Sequence, residues 1–83
     1  MKNYATGSIA NKMLNKLQQM QDDAVMLDTP KVETIDGDEV YRFKLAEIVG
    51  EIVIRVHDEN TIEAHHMHNE EVLEWLDYLL ENS

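Results

Sequence analysis

The first apolar positions of the chain recur with the period of an α-helix. They alternate at spacings of three and four residues, at Ala10, Met13, Leu17, Met20, Ala24 and Leu27. Ser8 precedes them and has the hydroxyl of a good N-cap. Pro30 lies beyond them, and the residue before a proline is driven out of the α region. The pattern therefore predicts a helix that starts after Ser8 and ends at residues 28–30.

The next part of the chain alternates with the period of a β-strand. A first strand is predicted at residues 31–35, followed by a turn at Asp36, Gly37 and Asp38. In the second strand Tyr41, Phe43 and Leu45 share one face, and a less regular connection at residues 46–50 leads to the third. There the apolar face is formed by Ile52, Ile54 and Val56.

The third and fourth strands are predicted to pair through a three-residue loop at residues 58–60, with Asn60 in the left-handed conformation. This register sets Ile54 opposite Ala64 and Arg55 opposite Glu63. A two-residue loop would instead place Ile54 opposite His65. Since a slip of one residue exchanges the two faces of a strand, the first register is favoured.

A second helix is predicted at the C-terminus, capped by Asn69 and apolar at Val72, Leu73, Trp75, Leu76, Leu79 and Leu80. The expected fold is α+β: an N-terminal helix, a four-stranded antiparallel meander and a C-terminal helix, with both helices on one face of the sheet. Residues 1–7 are expected to form a flexible tail and residues 8–83 a single small domain.

Charge separates the chain into two parts. Seventeen acidic residues against seven basic ones give a formal charge of −10. Residues 1–21 contain Lys2, Lys12 and Lys16 and no acid, whereas no Lys or Arg follows Arg55. Such a field repels nucleic acid and anionic membranes and attracts basic partners. The chain also has no cysteine and no long apolar run, so a cytoplasmic protein without direct nucleic-acid or membrane binding is expected.

The C-terminal carboxylates form the first candidate site. Glu70, Glu74, Asp77 and Glu81 are spaced to lie along one helix face, with no basic residue between them, and Asp58, Glu59 and Glu63 form a flanking patch. A row of this pitch resembles the phosphates of a nucleic-acid strand. It predicts binding to a basic, nucleic-acid-binding surface of a protein partner, with Trp75 or Tyr78 as an anchor. The alternative is a solvated surface that serves only solubility.

Histidines form the second candidate. His65, His66 and His68 are close in sequence and are weak candidates for metal ligands, with Glu63 or Glu70 as a third group. The predicted register places His65 and His57 on the face opposite His66 and His68, so no four-ligand site is expected. Carboxylates around them would raise the pKa of the histidines, and this suggests a pH-responsive module as a further alternative.

The chemistry of an enzyme is not recognisable in this sequence. It has no cysteine nucleophile, no glycine-rich phosphate loop and only two serines, Ser8 and Ser83. No cofactor is expected. Because a core this small is marginal, a homodimeric assembly module formed through the first helix and a sheet edge is a second alternative. In size and charge the chain resembles the small inhibitors of bacteriophages and mobile elements, and equally short bacterial housekeeping proteins.

Overall fold

The computed structural model describes residues 3–66 and, beyond them, Leu73, Glu74, Asp77, Tyr78 and Glu81. Its elements in chain order are one helix and four strands: α1 (Ile9–Asp22), β1 (Lys31–Ile35), β2 (Asp38–Lys44), β3 (Glu51–Asp58) and β4 (Thr61–His66). The strands form one antiparallel sheet in the order β1-β2-β3-β4. The predicted N-terminal helix and four-stranded meander are therefore confirmed.

Helix α1 begins where the cap was predicted. The Ser8 hydroxyl oxygen accepts a hydrogen bond of 3.0 Å from the amide of Asn11, and Ser8 itself is buried. The amide of Ala10 donates to the carbonyl of Glu59 at 2.9 Å. Free amides of the first turn are thus satisfied by the cap and by the β3–β4 turn, which attaches the start of the helix to the sheet.

Removal of this cap has a measurable expected cost. Ser8→Ala deletes the acceptor for the Asn11 amide, so we expect the free energy of unfolding to fall by about 1 kcal/mol in urea denaturation. Ser8→Asp keeps an acceptor at the same position and is the matched control. Equal stability of the alanine variant and the wild type would show that the cap bond contributes nothing.

The end of α1 differs from the prediction. The helix stops at Asp22, before Ala24 and Leu27, which were predicted to continue it. Ala24 has a φ of 58°, and the amide of Val25 returns to the carbonyl of Met20 at 2.9 Å, which closes the last turn. Carboxylates at Asp22 and Asp23 are unfavourable at the negative end of a helix dipole. Met26 instead forms a bridge with Leu45 and is buried there.

The register of the sheet is confirmed at the positions that were predicted. Ile54 pairs with Ala64, and Arg55 pairs with Glu63. The predicted three-residue loop at residues 58–60 was wrong, because Asp58 pairs with Thr61 and leaves two residues in the turn. The prediction for Asn60 was also wrong, since the non-glycine residues with positive φ among those described are Ala24 and Asp36. A register shift between Val56 and Asp58 takes up the extra residue, so the chain can turn at Glu59 and Asn60 without a left-handed asparagine.

One face of the sheet carries the core. Apolar residues of α1 pack there against the alternate residues of the strands, and together with the Met26–Leu45 bridge they form one buried cluster: Ala10, Met13, Leu17, Met20, Met26, Tyr41, Phe43, Leu45, Ile52, Ile54 and Val56. We call this side the inner face. The opposite, outer face carries polar side chains such as Arg42, Arg55 and His57, which are half-buried. It also holds Val40, which pairs with Arg55 and is 3% exposed.

The two ends of the chain complete the description. Leu73, Glu74, Asp77, Tyr78 and Glu81 have α-helical backbone, but no C-terminal helix is among the elements above, and the rest of the predicted helix lies outside the described residues. Within the predicted tail, Tyr4 packs against the core and the amide of Ala5 donates to Glu59 Oε2 at 3.2 Å. The flexibility of residues 1–7 stays a prediction. No helix among the described residues is long and apolar enough to cross a membrane.

Candidate functional site

Three members of the predicted acidic row lie at the surface. Glu74, Asp77 and Glu81 are exposed and have helical backbone. Residues three and four apart on a helix have Cβ atoms about 5–6 Å apart, so these carboxylates form a line with little screening between neighbours. Glu70, the fourth predicted member, lies outside the described residues. The arrangement places repeated negative charge at the surface.

A shallow cleft brings the row beside the turn that joins β3 to β4. The cleft has a volume of about 420 Å³ and is lined by Ile9, Lys12, Asn60, Thr61, Ile62, Asp77 and Glu81. Asp77 and Glu81 therefore lie close to the residues that follow Asp58 and Glu59 in the chain. Lys12 lines the same cleft and contributes a cation from α1, a neighbour that the linear sequence does not reveal.

Asp58 and Glu59, two of the predicted flanking residues, are exposed, and the carboxylate of each accepts a hydrogen bond from a backbone amide. Asp58 Oδ1 accepts from the amide of Asn60 at 2.8 Å, and this bond, with others from Thr61, lowers the pKa of Asp58 against the opposing effect of burial. Glu59 accepts from the amide of Ala5. These bonds thus favour the ionised form of Asp58, while Glu59 connects the β3–β4 turn to the segment before α1.

Glu63 was grouped with this flanking patch, but its contacts are with histidines of the outer face. Its Oε1 lies 3.1 Å from Nε2 of His57 and its Oε2 lies 3.6 Å from Nε2 of His65. The His57 nitrogen is buried and does not have hydrogen-bond geometry to any described protein group. Glu63 consequently belongs to a local network of polar and charged side chains on the outer face of the sheet.

Asp38, which was predicted only as part of a turn, is the centre of that network. Its Oδ2 accepts from Nε of Arg55 at 2.9 Å and lies 2.9 Å from Nδ1 of His57. The Arg55 hydrogen bond is the main cause that lowers the pKa of Asp38; burial opposes it and His57 adds to it. The alternation of β2 could have predicted this position. Alternate residues of a strand share a face, so Arg42, Val40 and Asp38 all lie on the outer face.

The lowered pKa of Asp38 predicts an acid-sensitive contribution to stability. A carboxyl whose folded pKa is depressed stabilises the fold above its unfolded pKa of about 4, and that contribution is lost as the pH falls through the folded pKa. We expect Asp38→Asn to be less stable than the wild type near neutral pH, and the difference to shrink as the pH falls below about 4. Urea denaturation across this pH range measures it; a constant difference would exclude ionisation of Asp38 as the cause.

The predicted histidine cluster is divided by the sheet. His65 pairs with Val53 on the outer face, whereas His66 pairs with Ile52 and its Nε2 lies 2.9 Å from the carbonyl oxygen of Val49. His68 is outside the described residues. Over the part of the chain that the structure describes, no group of three His, Asp or Glu side chains could hold a metal ion. The geometry does not bring His65 and His66 to one site.

Comparison with known proteins adds no family. No family model matches the chain, and neither a curated protein nor a solved structure matches it.

Proposed function

We propose that this protein is a non-enzymatic binding protein whose carboxylate-rich surface docks on a basic surface of a protein partner. The observation that supports the proposal is the exposure of Glu74, Asp77 and Glu81 along one helical line. In its more specific form, the partner's surface is one that binds nucleic acid, and the protein competes with DNA or RNA for it. Formal charge of −10 would accelerate encounter with such a surface.

The proposal includes a second, C-terminal helix that follows its cap at Asn69, on the same face of the sheet as α1. The helical backbone at five positions between Leu73 and Glu81 supports it. So does the cleft that Asp77 and Glu81 share with Ile9 and Lys12 of α1. A helix in this position would hold the carboxylate row on a rigid element, which reduces the entropy lost when a partner binds.

Tyr78 is the proposed anchor of the interface. Its side chain is 63% exposed, and it lies between Asp77 and Glu81 in the chain. Aromatic residues dominate many protein interfaces because they bury a large area for few rotatable bonds, and tyrosine can also donate a hydrogen bond. Carboxylates around one aromatic side chain fit a partner whose basic groups surround an apolar depression.

Affinity capture with a salt gradient and a competitor tests the proposal. The immobilised protein is exposed to a bacterial lysate at low salt, and retained proteins are eluted by salt or, in parallel, by double-stranded DNA or RNA. We expect a nucleic-acid-binding protein that elutes at moderate salt and is displaced by nucleic acid, because a charge-dominated complex is screened by ions. Retention of nothing specific, or of proteins that nucleic acid does not displace, would contradict the proposal.

A further inference from the structure

Strand β1 forms an open edge of the sheet. Its only strand partner among the described residues is β2, and four of its five residues are exposed. Val32, on the inner face, is 56% exposed although it is apolar. An edge strand that presents unpaired backbone groups and an exposed apolar side chain is a template for a further strand.

The hairpin turn determines which backbone groups of β1 face outward. Asp36 and Gly37 both have positive φ, as in a two-residue type I′ turn, and Ile35 and Asp38 are the pair that closes it. This closing pair exchanges hydrogen bonds, and bonded pairs alternate along an antiparallel ladder. Glu33 and Lys31 therefore bond to β2, which leaves the amide and carbonyl groups of Val32 and Thr34 directed at the free edge.

We propose that a second copy of this chain pairs antiparallel with β1, with Val32 opposite Val32 of the second copy. In this register the two Val32 residues exchange two backbone hydrogen bonds. The amide of Thr34 in each copy reaches the carbonyl of Pro30 in the other, which gives two more. Pro30 has no amide to donate, so the ladder ends there. The two four-stranded sheets become one continuous eight-stranded sheet.

Charge complementarity identifies the second copy as the occupant. The register places Lys31 opposite Glu33 of the second copy, and it does so twice because the pairing is symmetric. Both residues are exposed on the outer face, where Oε1 of Glu33 also lies 3.3 Å from Nε of Arg42 in its own copy. Directly opposite residues of opposite charge stabilise a strand pair. A shift by two residues would retain four backbone bonds but would set Glu33 opposite Glu33 of the other copy. The charges of β1 thus select one register.

An apolar cavity beside β1 supports the same contact. It has a volume of about 660 Å³ and lies on the inner face. Its lining is mostly apolar and includes Tyr4, Leu14, Val32 and Tyr41, together with the polar Thr34 and Glu39. In the paired state the two Val32 side chains meet at the border of the two cavities. Apolar surface that water contacts in the single copy would be covered there, which adds to the backbone bonds.

Charge-reversed variants test the register. Lys31→Glu and Glu33→Lys each place like charges opposite one another in both symmetric pairs, so each variant alone should self-associate about tenfold more weakly than the wild type. An equimolar mixture of the two variants restores opposite charges in both pairs, and it should form mixed dimers about as readily as the wild type. Glu47→Lys changes the net charge as Glu33→Lys does, at an exposed position outside β1, and is the control.

Sedimentation velocity over a range of concentrations measures the association, and amide hydrogen exchange locates it. Protection of the Val32 and Thr34 amides from exchange should rise with protein concentration in the wild type. At the same concentration it should be lower in each single variant than in the wild type. A wild type that stays monomeric at millimolar concentration would overturn the proposal, as would single variants that dimerise like the wild type or a mixture that does not associate. Salt separates this contact from the proposed partner binding, since screening should weaken partner binding but should not dissociate two copies of the same negative sign.

Discussion

Replacing Glu74, Asp77 and Glu81 together by Gln, Asn and Gln is expected to weaken binding to the basic partner at least about a hundredfold, while the domain stays folded. Each carboxylate is exposed, so its amide can be hydrated in place of the charge. Repulsion between neighbours three and four apart on a helix costs about 0.2–0.5 kcal/mol per pair. The variant should therefore be as stable as the wild type or slightly more so, which separates loss of binding from loss of fold.

The matched control removes the same number of charges elsewhere. Asp28→Asn, Asp36→Asn and Glu47→Gln alter exposed residues in three different connections of the fold. Calorimetric titration of a captured partner with both triple variants compares them directly. Equal loss in both would mean that net charge alone attracts the partner, and wild-type affinity in the row variant would place the interface on another surface.

The sheet could be read from the sequence because its two faces differ. Alternation at Ile52, Ile54 and Val56 allows one register with β4, and a slip would bury a histidine in place of Ala64. The inner face and the pairing of Arg55 with Glu63 followed from this constraint. The first hairpin was predictable for a separate reason. Its turn residues, Asp36 and Gly37, both have positive φ, a backbone conformation that few residue types accept.

The end of α1 could not be read in this way. Ala24 and Leu27 fit the helical period, yet the chain leaves the helix after Asp22, and Met26 pairs with Leu45, a residue far along the sequence. A repeat of apolar residues indicates which side chains become buried, but it does not determine the backbone conformation that buries them. The burial of Met26 depends on its pairing with Leu45, and the local apolar pattern carries no information about that contact.

The candidate site was only partly predictable for a related reason. Helical spacing was sufficient to propose the line of Glu74, Asp77 and Glu81, but the presence of Lys12 in the same cleft as Asp77 depends on tertiary packing. Glu63 was assigned to the acidic patch by its closeness in sequence, whereas strand pairing directs it to His57 and His65. In each case the residues that surround a charge come from another element, and only the fold determines them.

Ile54→Ala is expected to have the largest effect on stability of any substitution considered. Ile54 is 1% exposed and lies in the central part of the buried cluster, between Tyr41 of β2 and Ala64 of β4. Loss of its side chain removes apolar contacts and leaves a cavity, which costs about 2–5 kcal/mol. A domain of 83 residues has a free energy of unfolding of about 4–12 kcal/mol, so the variant should be partly unfolded at 37 °C if the wild type is near the lower value.

Val53→Ala, one residue earlier, provides the control that makes this result informative. Val53 points to the outer face between Arg42 and His65 and is half-buried, so its truncation should cost about 1 kcal/mol or less. Urea denaturation of both variants measures the two costs, and Ile54→Val, which removes one methyl group, should fall between the wild type and Ile54→Ala. If Val53→Ala were as destabilising as Ile54→Ala, the outer face would have to be packed as tightly as the inner one. The carboxylates and basic side chains of Asp38, Arg55 and His57 would then be core groups, and the division of the sheet into one apolar and one polar face would be wrong.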